Sequence, residues 1–389
     1  MNPVSRIVLA MSGGVDSSVA AHLLRQEGWE VVGVTFDLWP EVAQAAIDDA
    51  RHVAGQLGIS HRVLSLRDEF LKQVVEPFCR DYFDGRTPNP CVRCNPLIKF
   101  NALLRLADEL GADAVATGHY ARVEHSSEHG EPLATLSSAG ARHLPAEALA
   151  EAGAAPLQSG KAAMRGRYFL RRACDAQKDQ SYMLYGLEQR HLARARFPVG
   201  ELSKPEVRKL AQAAGLKSHN RPDSQEICFI PDDDYAAFLE RQAPEGVRAG
   251  EIRDTLGKVL ARHKGIHRFT IGQRKKLGFA AGEPRFVVRL EPENAVVVVG
   301  RREETMRGEF MVRGINWIYP VAAGERFAAD VKIRYRHRGV AAQVEALPDA
   351  AARVRLSAPE PAVTPGQAAV FYDGECVIGG GTISDSSTC

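Results

Sequence analysis

The sequence lacks several features that would assign it to a class at once. Its 389 residues hold no apolar run as long as a membrane helix, and the first six leave no room for a signal peptide. The formal net charge is only +2, so composition alone does not indicate a polyanionic partner. Seven cysteines in a chain of this length do not make a disulfide framework. We expect a cytoplasmic protein of two or three domains without a membrane partner.

The two best-known phosphate loops are also missing. No Gly-Lys-Ser/Thr follows the glycines, and they are not spaced as in dinucleotide-binding folds. What is present is SGGVDSS at residues 12–18, between an apolar run and an amphipathic helical pattern. A strand, a Gly-rich turn and a helix N-terminus form an anion site, because free amides point at the ligand. Bare phosphate would repel Asp16, so we expect it to face a metal ion. An ordinary glycine turn is the alternative.

Strand and helix patterns alternate along the first part of the chain. Such a series predicts an α/β fold with a doubly wound parallel sheet, in which ligands bind outside the carboxyl ends of the strands. Residues 12–18, Phe36 and residues 118–120 all fall at such ends. The predicted strands cover residues 7–10, 31–36, 62–66 and 114–117, and the predicted helices between them cover 41–57, 68–80 and 95–110.

The rest of the chain shows two further sequence patterns. Residues 125–166 are rich in Ala, Gly, Ser and Glu without a period, which predicts a mobile insertion. Short strand patterns separated by turns predict a C-terminal β-barrel. We therefore expect an α/β domain of residues 1–197, to which 222–235 return, a small α-rich central domain of 198–284 and a barrel of 285–389. The predicted barrel strands cover residues 286–290, 295–299, 331–335, 353–356 and 368–372.

Three stretches are locally basic: residues 165–172, 262–276 and 332–338. Basic patches on a nearly neutral protein suit a polyanion held on one face. Three solvated surface segments would give the same composition. The charge pattern alone leaves both interpretations open.

A second motif surrounds Cys91 and Cys94. Prolines fix an irregular loop before them, and Asn95-Pro96 predicts a helix start directly after Cys94. A helix N-terminus and the neighbouring Arg93 would both lower the pKa of the Cys94 thiol and make it a better nucleophile. The Cys-x-x-Cys spacing also suits half a zinc site, although no second pair has metal spacing, or a redox dithiol. A buried, inert cysteine is the remaining alternative.

The motifs in their order resemble a known family. The loop at residues 12–18 resembles the pyrophosphate loop of PP-loop ATPases, whose fold is that of the adenine-nucleotide hydrolases. The whole set resembles the tRNA-specific 2-thiouridylases within that superfamily. The other stretches are TPNPCVRCNPLIKF (87–100), TGHY (117–120), KDQSY (178–182), CFI (228–230) and HRFTIGQR (267–274).

The resemblance implies a reaction. ATP, with Mg²⁺, would adenylate C2 of the wobble uridine, position 34 of tRNA, and a cysteine persulfide would then supply sulfur. The products would be 2-thiouridine, AMP and pyrophosphate. Cys228 matches the persulfide carrier and Cys94 the nucleophile that forms a disulfide with it. The implied partners are tRNA, an upstream persulfide donor protein and a cellular reductant.

The resemblance also assigns binding residues, and it makes the central domain tRNA-binding. No metal ligand is assigned beyond a possible role for Asp16. Some members carry Asp where this chain has Cys91, so an acid–base role for a carboxylate is not carried over. The ATP residues are Ala10, Met11, Ser12, Gly13, Gly14, Val15, Asp16, Ser17, Phe36 and Gly118; the target-base residues are Asn89, Pro90 and Cys91; the tRNA residues are His119, Lys178, Asp179, Gln180, Arg334, Tyr335 and Gln367.

Two other functions are compatible with parts of the sequence. A PP-loop enzyme that adds a nitrogen nucleophile would have the same loop, but it would have no need of paired thiols. An RNA-binding protein with a vestigial loop would have no need of Asp16 beside two serines. Pyrophosphate exchange and a test for thiolated RNA separate all three.

Overall fold

The computed structural model describes residues 5–126, 166–220, 227–279 and 282–384. Within these ranges the strands are β1 (Arg6–Ala10), β2 (Glu30–Asp37), β3 (Ser60–Ser65), β4 (Ala114–Thr117), β5 (Arg122–His125), β6 (Tyr168–Arg171), β7 (Ala195–Arg196), β8 (Gly250–Asp254), β9 (Val259–His263), β10 (Phe286–Glu291), β11 (Val296–Gly300), β12 (Met306–Trp317), β13 (Arg326–Lys332), β14 (Val340–Leu347), β15 (Ala351–Pro361), β16 (Ala368–Asp373) and β17 (Cys376–Ser384).

The helices of the same ranges pack on both faces of the first sheet and link the later parts. They are α1 (Val15–Gln26), α2 (Pro40–Leu57), α3 (Arg67–Phe70), α4 (Glu76–Phe83), α5 (Pro90–Cys94), α6 (Asn101–Glu109), α7 (Ser181–Leu184), α8 (Gln189–Leu192), α9 (Lys204–Ala213) and α10 (Tyr235–Gln242). Two π-helical segments, Leu71–Val75 and Asn95–Phe100, join α3 to α4 and α5 to α6.

The first sheet is parallel and has the order β3-β2-β1-β4-β7 in the described part of the chain. Ile7, Val8 and Leu9 of β1 are fully buried, as expected for a central strand covered on both faces. The chain runs outward from β1 to β3 on one side and returns to β4 on the other. The carboxyl ends of β1 and β4 therefore flank a topological switch point, the usual ligand position of such sheets. The predicted doubly wound sheet is confirmed.

One predicted helix start was wrong. The sequence analysis began a helix at Asn95-Pro96, but α5 already begins at Pro90. Asn89 is its N-cap, because its side-chain oxygen accepts a hydrogen bond from the Cys91 amide at 3.1 Å. Pro90 occupies the first helical position, where its missing N–H costs nothing. Cys94 consequently lies inside a continuous helical stretch, at the end of α5, and not in front of a free helix N-terminus.

The middle of the chain forms a four-stranded sheet of order β10-β11-β8-β9, within the described residues. The sequence analysis placed β10 and β11 in the C-terminal barrel. In the structure they pair with this sheet instead, β11 running parallel to β8. The reason is burial, since Val287, Val297 and Val299 pack against Ile252 and Ile266. Helices α9 and α10 precede the sheet, and the domain boundaries at 197 and 284 stay predictions.

The third sheet closes on itself. Strands β12-β15-β14-β13-β16-β17 follow one another, and β12 also pairs with β17, which makes a closed six-stranded barrel in the described C-terminal part. The predicted C-terminal barrel is confirmed. A hairpin of β5 and β6 from the α/β domain adds to β17 through one bridge between Arg171 and Cys376.

The predicted insertion of residues 125–166 lies, apart from its two ends, outside the described residues. Its ends meet at the tip of the β5–β6 hairpin, where the Ser126 amide donates to the Arg167 carbonyl at 2.9 Å. In the described ranges no helix combines the length and apolar character needed to cross a membrane.

Candidate active site

The Gly-rich loop connects the end of β1 to α1. Gly13 has a φ of +71°, and a Cβ there would lie 2.3 Å from the Asp49 Cβ, so only glycine fits. The N-cap of α1 is Gly14, and among the described residues no side chain caps this helix. The amides of its first turn therefore point outward without an internal partner. This is a fit for the phosphates of a nucleotide.

The three serines of the loop have different surroundings. Ser18 is fully buried and its hydroxyl donates to the Gly14 carbonyl at 2.8 Å, which holds the turn in shape. Ser17 donates to the same carbonyl at 3.2 Å and accepts from the Ser12 amide at 3.2 Å. Ser12 is exposed. The loop is therefore fixed from inside by Ser17 and Ser18, while Ser12 can turn toward a ligand.

The carboxyl end of β4 closes the loop from the other side. A Cβ on Gly118 would lie 2.6 Å from the Ser17 amide nitrogen, so glycine lets β4 approach the start of α1. Ala10 pairs with Thr117 on β4 and with Val34 on β2, two residues before Phe36. The structure thus brings Ala10, Phe36 and Gly118 to one edge of the sheet, as the sequence analysis expected.

The carboxylate of Asp16 has partners that the sequence analysis missed. Lys204 donates to both of its oxygens, at 2.7 and 2.8 Å, and the Tyr120 hydroxyl donates to one of them at 2.7 Å. The Lys204 side chain is only 9% exposed. No local signal could have shown this pair, since the two residues are 188 positions apart.

A divalent cation could still meet Asp16, but only if the carboxylate turned partly away from Lys204. Mg²⁺ commonly uses one or two carboxylates together with substrate phosphates, which suits a single acidic residue beside a phosphate loop. Among the described residues, no group of three or more His, Cys, Asp or Glu side chains is arranged to hold a metal ion.

Aromatic packing brings Cys228 to Cys94. Phe229 is 2% exposed, and its ring centroid lies 5.4 Å from both Phe70 and Phe78. Cys94 belongs to the same buried cluster. The thiols of Cys94 and Cys228 consequently lie within electrostatic range of each other, although they are far apart in sequence. Residues 221–226, which precede this segment, lie outside the described residues.

The expected low pKa of Cys94 was wrong. Burial raises the pKa of its thiol to about 12, against a smaller opposing effect of the Lys99 ammonium. The thiol is 4% exposed at the end of α5, away from any free helix N-terminus, and Arg93 is exposed with its side chain directed to the Gln73 carbonyl at 3.3 Å. Burial also raises the pKa of Cys91 and of Cys228, the latter although its residue is exposed to solvent.

His119 connects the nucleotide loop with the thiols. It follows Gly118 directly, and its Nδ1 lies 2.8 Å from the Thr117 hydroxyl. Burial, assisted by Lys99, lowers the pKa of His119 to about 3, so the imidazole is neutral. Lys99 also lies within electrostatic range of Cys91, Cys94 and Cys228. Loop, imidazole, lysine and thiols therefore form one continuous site.

The residues assigned to tRNA separate into two groups. Asp179 is buried and accepts from the Ala173 and Ser181 amides, both at 3.1 Å, and Gln180 accepts from the Tyr120 amide at 2.9 Å. These two side chains brace the loop beside Lys178. Their role in tRNA binding, like that of His119, stays a prediction.

The other group lies at a cleft between the α/β domain, the middle sheet and the barrel, which Arg334 and Gln367 line and Tyr335 adjoins in sequence. This cleft has a volume of about 500 Å³ and includes Thr87, Arg334 and Gln367. The Gln367 side chain donates to the Thr87 carbonyl at 2.7 Å, two residues before Asn89. Arg334 is exposed and Tyr335 is half-buried. The cleft thus leads from the barrel toward the start of α5, with Asn89 as its N-cap and Pro90 and Cys91 in its first turn.

The three basic stretches also differ in the structure. Arg171 is paired with Glu375 at 2.6 Å, and Arg172 with Asp330 at 3.0 Å, so the first stretch serves internal ion pairs. In the last stretch Lys332 and His337 are buried, whereas arginines stay exposed. The exposed arginines of that stretch are Arg334, Arg336 and Arg338.

A parallel sheet with a phosphate loop at its switch point, joined to paired thiols, defines a nucleotide-dependent enzyme of the PP-loop class. Residues 5–232 match the family profile described as tRNA methyl transferase HUP domain. Residues 236–301 match the tRNA methyl transferase PRC-barrel domain, and 307–383 the aminomethyltransferase β-barrel domain.

Curated relatives share the whole chain. It is 43% identical over 397 residues to tRNA-specific 2-thiouridylase MnmA of Geobacter metallireducens, covering 98% of both chains. It is 44% identical over 405 residues to the MnmA of Solibacter usitatus, covering 98% of this chain and all of the relative. A solved 4-thiouridine synthetase–RNA complex with bound ATP matches 62% of this chain and 51% of its own at 15% identity, with a TM-score of 0.33, too low to support an argument. The chain belongs to the family of tRNA-specific 2-thiouridylases.

Proposed function

We propose that this protein makes 2-thiouridine at the wobble position of tRNA, using ATP and a cysteine persulfide. The observation that carries the proposal is that the phosphate loop and the thiols of Cys94 and Cys228 belong to one site, because Gly118 packs against the loop and Lys99 lies in range of both His119 and the thiols. The names of the family members support the same substrate. A nucleotide loop activates an oxygen as a leaving group, and two thiols supply and release sulfur.

Activation takes place at the phosphate loop. The C2 oxygen of the uridine attacks the α-phosphorus of ATP, a bond to AMP forms, and pyrophosphate leaves. The amides of the first turn of α1 bind phosphate oxygens, and Gly13 and Gly118 allow this close approach. Mg²⁺, when bound, neutralises charge on the phosphates. Lys204, held beside Asp16, is placed to add positive charge on the same side.

Sulfur transfer uses both thiols. The terminal sulfur of a persulfide on Cys228 attacks C2 and AMP leaves, which creates a bond between C2 and sulfur. The Cys94 thiolate then attacks the Cys228 sulfur, and the sulfur–sulfur bond to the substrate breaks. The electrons of that bond stay on the product, which becomes the thiocarbonyl of 2-thiouridine. Cys94 and Cys228 are left as a disulfide, and a thiol reductant must return both to thiols. The donor protein reloads Cys228.

The test is a direct product analysis. The protein is incubated with ATP, Mg²⁺, a small-molecule persulfide as sulfur donor, a thiol reductant and a tRNA transcript carrying uridine 34, and the nucleosides are separated. We expect 2-thiouridine, with AMP in equal amount, and no thiolated nucleoside from a matched transcript with cytidine 34. AMP formation on the uridine transcript without any thiolated nucleoside contradicts the proposal and favours transfer of another nucleophile.

The exposed arginines after β13 give a second prediction. Arg334→Ala and Arg336→Ala should each weaken tRNA binding and reduce the salt slope of log Kd by about one, since each phosphate contact releases counterions. The matched control is Arg355→Ala, because Arg355 is already paired with Glu309 at 2.8 Å. Filter binding at several salt concentrations measures the slope. Identical slopes for all three variants and the unmodified protein mean that this stretch is only solvated surface.

A further inference from the structure

Lys99 reaches the thiols because of an unusual helix turn. It lies five residues after Cys94, in the π-helical segment Asn95–Phe100. On an α-helix, residues five apart point about 140° away from each other. In a π-helical turn the i and i+5 residues are hydrogen-bonded neighbours, so Cys94 and Lys99 face the same side. Such turns are rare in proteins, and many of those that exist lie at functional sites.

The sequence explains why the turn widens at this point. Pro96 has no N–H, so the hydrogen bond that an α-helix would make to the Val92 carbonyl cannot form. The Asn95 side chain anchors the turn by donating to the Met183 carbonyl at 2.9 Å, and Pro96 packs against Gly186, where a Cβ would lie 3.1 Å from the proline ring. The wide turn is thus held from both sides.

The electrostatics of this cluster are reciprocal. Burial by itself lowers the pKa of Lys99, yet its pKa is raised, because Cys94, Cys228 and Cys91 outweigh that effect. In return Lys99 acts to lower the pKa of each of these thiols. Among the described residues, two further titratable groups lie near the cluster: His119, which is neutral, and Tyr335, which lies in range of Cys91.

We propose that Lys99 is the counter-ion of the reacting sulfur, held by the π-helical turn so that it stabilises anionic sulfur on whichever of Cys94 and Cys228 carries it. The resemblance described in the sequence analysis gives roles to Cys94 and Cys228 but none to Lys99. In the proposed reaction two anions form in turn, the persulfide on Cys228 and the Cys94 thiolate, and a cation in range of both serves both. The sulfur chemistry rests on the proposed function, whereas the charge pairing is a property of the protein alone.

The test measures thiolate formation without tRNA. At a fixed pH of about 8, below the pKa of both thiols, the rate of alkylation by iodoacetamide is proportional to the fraction of thiolate. This rate is followed for Cys94 and Cys228 by peptide mass spectrometry, in the full-length protein and in Lys99→Met, Lys99→Gln and Lys99→Arg. We expect both rates to fall about tenfold in the Met and Gln variants, which corresponds to a rise of about one unit in each pKa. Lys99→Arg should keep them near the original values, because the cation is retained.

The control and the contradicting results are defined separately. Lys258→Met removes an exposed lysine of the turn between β8 and β9 and should leave both alkylation rates unchanged. Two neutral variants at position 99 guard against a packing defect in one of them, and thermal melting shows that each is folded. Unchanged rates in a folded neutral variant overturn the proposal. If the rates fall but the unmodified protein makes no 2-thiouridine, the charge pairing stands and the proposed function fails.

Discussion

Cys228→Ser should abolish 2-thiouridine formation, because a hydroxyl cannot carry a persulfide. Activation should survive, since that step needs only the phosphate loop and a positioned base. Cys228 lies on an exposed turn whose fold depends on Phe229, so serine should not disturb the packing. The measurement is nucleoside analysis of the product together with the release of pyrophosphate from ATP in the presence of tRNA, since AMP stays bonded to the uridine until sulfur displaces it. Continued formation of 2-thiouridine by this variant would end the persulfide mechanism.

Cys94→Ser completes the same experiment. It should also stop turnover, but at a later step. The tRNA should stay joined to Cys228 through the sulfur–sulfur bond, because no thiolate at position 94 can break it. Cys91→Ser should lower the rate without eliminating product, because Cys91 shares the charge environment of Cys94 but precedes it by three residues. Cys174→Ser is the matched control, since this exposed thiol donates to Glu201 away from the thiol cluster and its loss should leave the rate unchanged. An inactive Cys91→Ser with an active Cys94→Ser would move the nucleophile by one helical turn.

Asp16→Asn should abolish AMP formation, and its effect on stability has to be separated from its effect on chemistry. The substitution removes the negative charge of Asp16 from beside the Lys204 ammonium, which is 9% exposed. Breaking a buried pair by removing one partner costs about 3–5 kcal/mol, and the 31% exposure of the Asp16 side chain places this case below that range. We expect a lower melting temperature as well as lost activity.

The double variant Asp16→Asn, Lys204→Met distinguishes the two effects. Methionine removes the buried cation and fills a similar volume, so the melting temperature should rise toward that of the unmodified protein. AMP formation should stay absent, because the carboxylate at the phosphate loop is still missing. If the double variant recovers both stability and AMP formation, Asp16 serves only to neutralise Lys204 and has no part in the reaction.

Most of the fold could be predicted from local sequence patterns. The parallel sheet and the loop at residues 12–18 follow from period, glycine spacing and helix stops, all of which act over a few residues. The position of β10 and β11 could not be predicted in this way. Apolar strands of this length suit either sheet, and the sheet that they join depends on the strand with which they pair. A closed barrel was predicted from turn spacing, but its order of strands could not be.

The site was predictable in its residues more than in its electrostatics. Motif order pointed to Cys94 and Cys228, whereas the pKa of Cys94 depends on burial that no sequence pattern displays. The helix start was misplaced because Asn89-Pro90 and Asn95-Pro96 are equally good caps, and only one can open the helix. Lys204 was missed because its contact with Asp16 depends on how α9 packs, which is a tertiary property.

The hairpin of β5 and β6 has a mechanical consequence. The hairpin follows β4 of the parallel sheet directly in the chain. Its bridge to β17 and the ion pairs of Arg122 and Arg171 with Glu375 attach it to the barrel. If tRNA binds at Arg334 as proposed, this connection holds the bound RNA at a fixed distance from the phosphate loop. Ser126 and Arg167 are joined by a backbone hydrogen bond across the hairpin tip. We therefore expect that residues can be added or removed beyond that bond without changing the distance between the barrel and the phosphate loop.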